Sequence, residues 1–303
     1  MLELTPKKEN RLDRYIMDIF SSATLSEIYK WIRTGKIKVN RKKQKTDYKL
    51  KKTDKIQIFL SEAQIEDYKK KGVIHKKSFE VLYEDDDILI VNKPPNLASQ
   101  GGVGVSENNL VNQVRYYLKN KNTIALANRL DKGTSGIVIF GKNPEINSKL
   151  YELTKKRKIE KYYYALAVGK ITKNKGILND YTKRAIRNYQ ERIVSADKND
   201  PKARYTETEY EVKFYYRGYT LLKLKLNTGR MHQIRVQCAL RKHPILGDKT
   251  YGNQKENTLW SRYIKRQFLH ASHIKFTHPI TNKTISVEAP FPKDIKRILA
   301  KLR

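Results

Sequence analysis

The stretch "ANRLDKGTSGIVIFGKN", residues 127–143, decides the reading of this chain. Arg129-Leu130-Asp131 runs into a Gly-rich turn, Lys132 to Gly136, and then into the apolar run Ile137–Phe140. Four apolar residues bounded by glycines read as a strand. Asp131 stands at its mouth. An aspartate there either caps its own turn or stands on a rigid loop as a nucleophile or base.

The neighbouring segments extend the pattern. Upstream, "FEVLYEDDDILIVNKPP" (79–95) alternates, passes an acidic turn and enters the run Ile88–Val91, which Pro94-Pro95 ends. Downstream, "KYYYALAVG", "ARYTETEYEVKFY", "YTLLKLKLNTG" and "KTISVEAP" read as further strands. "LVNQVRYYLKN" and "PEINSKLYELTKKR" read as helices. Strands outnumber helices and adjacent ones can form hairpins, so the expected class is α+β around a mostly antiparallel sheet.

The first 62 residues form a separate expected unit. Leu12, Tyr15, Ile16 and Ile19 share a helical face. Thr24 and Glu27 make a capping-box pattern before a second helix with Ile28, Trp31 and Ile32 on one face, and Gly35 suits its end. "KIKVN" and "KIQIFL" read as short strands. Between Lys30 and Lys55 there are twelve basic residues and two acidic. Residues 63–77 lose all periodicity and read as a linker, leaving 78–303 as the large domain.

Composition narrows the function. Among 303 residues, 64 basic against 31 acidic give a net charge of +33, which calls for a polyanion such as nucleic acid. Hydrophobic residues at 39% suffice for a core. A single cysteine, Cys238, rules out an internal disulfide and fits a reducing compartment. "MLELTPKKEN" has no apolar signal region, and no apolar run approaches the roughly 20 residues of a membrane span. A soluble cytoplasmic protein is expected, with no membrane partner. "GGVG" (101–104) lacks the Gly-Lys-Ser/Thr ending of a phosphate loop, and no Gly-x-Gly-x-x-Gly joins a strand to a helix. His270-x-x-His273 has no cysteine partner or third ligand nearby in sequence. Neither a cofactor nor a metal is expected.

Two further clusters accompany Asp131. In "LNTGRMHQIRVQ", Arg230, His232, Gln233 and Arg235 crowd after an alternating strand. They form either a solvated basic edge or a set that holds phosphates or pairs a buried carboxylate. In "EKYYYALAVGK", alternation sends Tyr163 to one face with Ala165, and Tyr162 and Tyr164 to the other.

These segments, in this order, resemble the RluA-type pseudouridine synthases. "NRLDKGTSGIVIFGK" is similar to that family's His-Arg-Leu-Asp-x-x-Thr-Ser-Gly segment, "KYYYALAVG" to its Lys-x-Tyr-x-Ala strand, and "TGRMHQIRVQ" with "HPILGDKTYG" to its Thr-Gly-Arg-Thr-His-Gln-Ile-Arg region. "ILIVNKPPNLASQGG" resembles the opening strand and "VEAPFP" the end, so the likeness covers about residues 79–293. Asn128, Met231 and Gln237 depart from the family pattern. Residues 1–62 resemble the S4 (α-L) RNA-binding module, although Thr24-Leu25 stands where Ser-Arg is common. The Gln-Gly-Gly loop further resembles the C type of large-subunit ribosomal RNA synthase rather than the D type.

The resemblance implies a mixed, mostly antiparallel catalytic sheet and a catalytic set of Asp131, Tyr163 and Arg235. Asp131 is the anionic group beside the ribose, acting as nucleophile or base. Arg235 is its salt-bridge partner, and Tyr163 stacks on the base and serves proton transfer at C5. Arg129, Arg230, His232 and Gln233 are expected to touch RNA at the site, and Arg11, Lys30, Arg33, Lys36 and Arg41 on the S4 unit. A Gly-rich turn lets an RNA backbone come close to Asp131. The expected partner is large-subunit ribosomal RNA and the expected state a monomer. The alternatives are a tRNA-directed synthase or a non-catalytic RNA-binding assembly factor.

Overall fold

The computed structural model describes the chain apart from residues 1, 7–8, 21–22, 24, 71–76, 102–107, 120–122, 188–189 and 303. It divides into two compact units, one drawn from residues 1–76 and 101–112, the other from 77–100 and 113–303.

The first unit contains β1 (Leu2–Leu4), β2 (Asn10–Arg11), α1 (Leu12–Ile19), α2 (Leu25–Thr34), β3 (Ile37–Val39), β4 (Lys49–Leu50), β5 (Ile56–Ile58) and α3 (Glu62–Lys70). β5 is central between β1 and β3, and β2 pairs with β4. Leu12, Ile16, Phe20, Ile28, Trp31 and Ile32 of the helical segment bury against Ile37, Val39, Ile56 and Ile58. The two helical faces read from spacing are the faces that meet the sheet. Gly35 ends α2 in the left-handed region, at φ 78°. The capping box at Thr24 lies outside the described residues.

The expected linker is corrected over its first half. Residues Glu62–Lys70 are helical, with Ile65 and Tyr68 packed on the core. Tyr68 meets Trp31 edge-on and donates to Glu27 at 2.8 Å. Two apolar contacts spaced three apart suffice to dock an otherwise polar helix, which is too few to register as a periodic pattern.

The second unit contains β6 (Glu80–Glu84), β7 (Ile88–Lys93), α4 (Leu110–Tyr117, which begins in the other unit), β8 (Ala125–Leu126), β9 (Ser135–Gly141), α5 (Pro144–Lys155), β10 (Glu160–Val168), β11 (Lys175–Arg187), β12 (Gln190–Ser195), β13 (Arg204–Tyr216), β14 (Tyr219–Leu226), α6 (Gln233–Leu240), α7 (Gln254–Leu259), β15 (Leu269–Thr277), β16 (Thr284–Glu288) and α8 (Lys293–Leu302). Among the described residues the strands form one sheet in the order β12-β11-β13-β14-β10-β15-β9-β7-β6, with β16 beside β15 and β8 beside β9. Every pairing is antiparallel except β9 with β15. The mixed α+β architecture read from the sequence is therefore the one observed.

β7 and β9 are buried on both faces. Ile88, Ile90, Ile137 and Ile139 pack with Ile146 and Leu150 of α5, while Leu89, Val91, Val138 and Phe140 are equally buried on the other side. The parallel β9–β15 junction is short, with His270 opposite Ser135 and Ala271 opposite Gly136. Gly136 has φ 112°, and a Cβ on it would meet the Ala271 carbonyl at 2.1 Å. β15 escaped the alternation reading because a bulge leaves Ser272 outside the register and breaks the period of two. No described helix is long and apolar enough to cross a membrane.

Candidate active site

Asp131 follows a backbone that has no slack. Leu130 donates its N–H to Ser99 Oγ at 3.0 Å, and the same hydroxyl donates to the Leu130 carbonyl at 2.7 Å. The Asp131 carbonyl accepts from Thr134 N at 3.0 Å. The Lys132 carbonyl accepts from Lys93 Nζ at 3.3 Å, and that of Gly133 from Arg266 Nη1 at 3.0 Å. Each carbonyl from residue 130 to 133 thus has a donor, so the carboxylate is presented by a fixed loop. Upstream, Asn128 brackets β9, donating to the Ile137 carbonyl and accepting from Ile139 N. Where the family pattern often has His, this chain has a backbone brace.

The glycines of the turn serve packing within the domain. A Cβ on Gly133 would lie 2.4 Å from Gln267 Oε1, and Gly136 is pressed against Ala271. That packing is sufficient reason for both glycines.

Arg235 meets Asp131 as expected. Its Nη1 lies 2.8 Å from Asp131 Oδ2. Its other edge grips Asp248, Nε to Oδ2 at 2.6 Å and Nη2 to Oδ1 at 2.9 Å. Arg235 and Asp248 are 6% and 1% exposed. Burial opposes both charges, but the pairing outweighs it, raising the Arg235 pKa and holding Asp248 below the usual carboxylate range. Asp248 also accepts from Thr250 N and Tyr251 N. Asp248 lies in the segment "HPILGDKTYG", where sequence reading gives it no role. Its signal is a Gly-Asp turn just beyond the helix that carries Arg235.

Tyr163 lies on β10 opposite Leu224 and is buried. Burial, and then the nearby Asp131 charge, push its phenol pKa upward. Tyr162, on the opposite face, stacks on His273, as alternation requires. His232 stands at φ 55° before α6, with Nε2 3.7 Å from Asp131 Oδ2. Arg129 and Arg230 are exposed and form no ion pair among the described residues.

Gln233 is corrected. It is 4% exposed. Its Oε1 accepts from Thr228 Oγ1 and Arg230 N, and its Nε2 donates to the Glu207 carbonyl and Thr208 Oγ1. With its amide satisfied internally, it braces the turn and has nothing left for RNA.

Two buried cations, Lys93 and Arg266, were missed by sequence reading. Lys93, fully buried, donates to the carbonyls of Pro94, Leu97 and Lys132. Burial and then the charge of Arg266 push its pKa down to about 7, with Asp131 opposing. Arg266 pairs with Asp294 of α8. His270 donates from Nε2 to the Ala289 carbonyl, so its Nδ1 accepts from Ser135 Oγ at 2.9 Å. His273 instead meets Ser286 Oγ, so the two histidines serve different structural roles.

In the first unit, Arg11, Lys30 and Arg33 line an open cleft of about 800 Å³ together with Lys45, Tyr29 and Thr46. Asp13 orients Arg11 through two hydrogen bonds, at 3.2 and 2.8 Å. Lys36 and Arg41 are exposed but do not line this cleft. Lys45 was not singled out from the sequence.

Comparison with known proteins finds relatives along most of the chain. The family model described as RNA pseudouridylate synthase matches residues 87–240. The ribosomal large subunit pseudouridine synthase C of Buchnera aphidicola subsp. Schizaphis graminum is 33% identical, over 95% of this chain and 92% of that protein. Synthase C of Escherichia coli (strain K12) is 31% identical, over 97% and 93%. Synthase D of Vibrio cholerae is 30% identical, over 97% and 91%. Relatives named C and D thus stand at similar identity. Human RNA pseudouridylate synthase domain containing 4 shares the fold, with a TM-score of 0.60 over 73% of this chain and 92% of that one at 21% identity. With the family match spanning the Asp131 loop, the Tyr163 strand and Arg235, the chain belongs to the RNA pseudouridylate synthase family.

Proposed function

We propose that this enzyme isomerises specific uridines of large-subunit ribosomal RNA to pseudouridine, with Asp131 as the catalytic anion. The observation that carries the reading is the asymmetry of that carboxylate. Arg235 and His232 both converge on Oδ2, and Oδ1 has no partner among the described residues. One oxygen is anchored and the other is left to react.

Isomerisation breaks the N1–C1′ bond, turns the uracil and joins C5 to C1′. C5 gives up its proton and N1 gains one, so no redox partner is needed. Asp131 acts either by attacking C1′ or by removing a ribose proton. Arg235, locked by Asp248, holds the carboxylate in place and sets a positive charge against it. The raised Tyr163 pKa favours neutral phenol. That suits stacking on the uracil, and the hydroxyl can take the C5 proton only while handing on its own. The uridine must leave its stack, at a cost of a few kcal/mol. Arg129 and Arg230, exposed beside the site, are suited to flanking phosphates.

The N-terminal unit fits the S4 role. Its cationic cleft would supply affinity through phosphate contacts with little reading of sequence. The ribosomal substrate is favoured by the large-subunit synthases found among the relatives.

The test is tritium release from 5-³H-uridine-labelled large-subunit ribosomal RNA. Native protein should release tritium, and Asp131→Asn should be slower by at least about 10³-fold with RNA binding retained. Release from tRNA alone would move the substrate assignment. Silence on both RNAs, with binding intact, would favour the non-catalytic assembly factor.

A further inference from the structure

Tyr251 links a distant hairpin to the catalytic carboxylate. Its hydroxyl accepts from Ile193 N of β12 at 2.9 Å and lies 3.0 Å from His232 Nδ1. The opposite ring nitrogen, Nε2, faces Asp131 Oδ2 at 3.7 Å. Tyr251 is itself fixed. Its N–H bonds to Asp248 at 3.1 Å, and the Arg235 guanidinium lies over its ring at 5.2 Å.

A phenol has one proton to give. The Ile193 N–H can only donate, so the hydroxyl accepts there. Among the described residues the acceptor left for its own proton is His232 Nδ1. Burial raises the Tyr251 pKa, so that proton is kept. A neutral imidazole that accepts at Nδ1 carries its hydrogen on Nε2. The His232 backbone is in the left-handed region, a conformation that side chains other than glycine adopt at some cost and that persists where the surroundings enforce it.

We propose that Tyr251 is a positioning residue that sets the tautomer of His232, so that an N–H and not a lone pair faces Oδ2 of Asp131. The inference rests on the catalytic role proposed for Asp131. At 3.7 Å the contact is longer than a hydrogen bond. It is a poised donor that tightens as the ribose seats. Together with Arg235 it loads one oxygen and leaves Oδ1 as the reacting atom. The opposite tautomer would set a lone pair against the anion.

The test uses full-length protein labelled with ¹⁵N-histidine. Long-range ¹H–¹⁵N spectra report the tautomer of each ring, and His232→Gln identifies the His232 signals by their loss. Native protein should show His232 protonated on Nε2, and Tyr251→Phe should shift it towards Nδ1. In single-turnover tritium release, Tyr251→Phe should slow the reaction about tenfold. In the His232→Gln background, where the side chain has no tautomers, the same change should alter the rate by less than about twofold. An unchanged His232 tautomer in Tyr251→Phe overturns the proposal. So does equal slowing in both backgrounds, which would trace the effect to the Ile193 contact. The spectra need no turnover, so they judge the tautomer even if Asp131 proves not to be the catalytic group.

Discussion

The two units put the same residue types to opposite uses. In the larger unit, Arg235 is buried between two carboxylates at fixed distances. In the N-terminal unit, Lys30, Arg33 and Lys45 stand in open solvent around a cleft. Two unit charges 4 Å apart interact by about 1 kcal/mol in water and about 4 kcal/mol at the effective dielectric near a protein surface. Exposed charges are further screened over about 8 Å at physiological salt. Few charges held rigidly can steer a reaction, whereas many loose ones can only gather a polyanion.

The sharpest way to break this contrast is to unpair the buried arginine. Asp248→Ala leaves Arg235 with Asp131 alone and two backbone N–H groups without their acceptor. Urea unfolding should show a loss of about 3–5 kcal/mol. A loss under about 1 kcal/mol would mean the pair is solvated after all.

Acid tests the same boundary. Burial pushes the His270 pKa from 6.5 down to about 4. Between those values the unfolded chain binds a proton that the folded chain refuses, so stability falls as pH drops through that window. The full contribution is about 3 kcal/mol. His270→Gln should therefore lose roughly 2 kcal/mol less than native protein between pH 7 and pH 4.5. Equal losses would place the acid sensitivity elsewhere.

The smallest effect belongs to the exposed cleft. Replacing Lys30, Arg33 and Lys45 together with Gln should leave unfolding unchanged and weaken RNA binding about tenfold at low salt. The slope of log affinity on log salt should become shallower by about 2. An unaltered slope would remove the cleft from the RNA path.

Much of this was legible from local pattern. Ile137–Phe140, the alternation around Tyr163 and the two apolar faces of the N-terminal helices depend only on spacing, and the structure keeps them. The pairing of Asp131 with Arg235, 104 residues away, came through the family resemblance and not from spacing. What stayed hidden depends on three-dimensional accounting. Gln233 looks like an RNA contact until its amide is found satisfied by Thr228, Arg230, Glu207 and Thr208. Lys93 looks like one more surface lysine until its ammonium is found among three carbonyls. For Asp248 the Gly-Asp signal marks the turn and not the buried ion pair it makes. Helix α3 was hidden because its docking rests on Ile65 and Tyr68, and a truncation at residue 65 would cut through it.

The parallel junction of β9 with β15 has a consequence for synthesis. Ser135 and His270 touch across 135 residues of chain, while the strands of the N-terminal unit all lie within residues 2–58. Closing so long a loop must wait until both ends exist. On a translating ribosome the N-terminal unit can therefore fold while the Asp131 turn still lacks Arg266 and its parallel neighbour. On the reading proposed above, the nascent chain gains its hold on RNA well before it gains its chemistry.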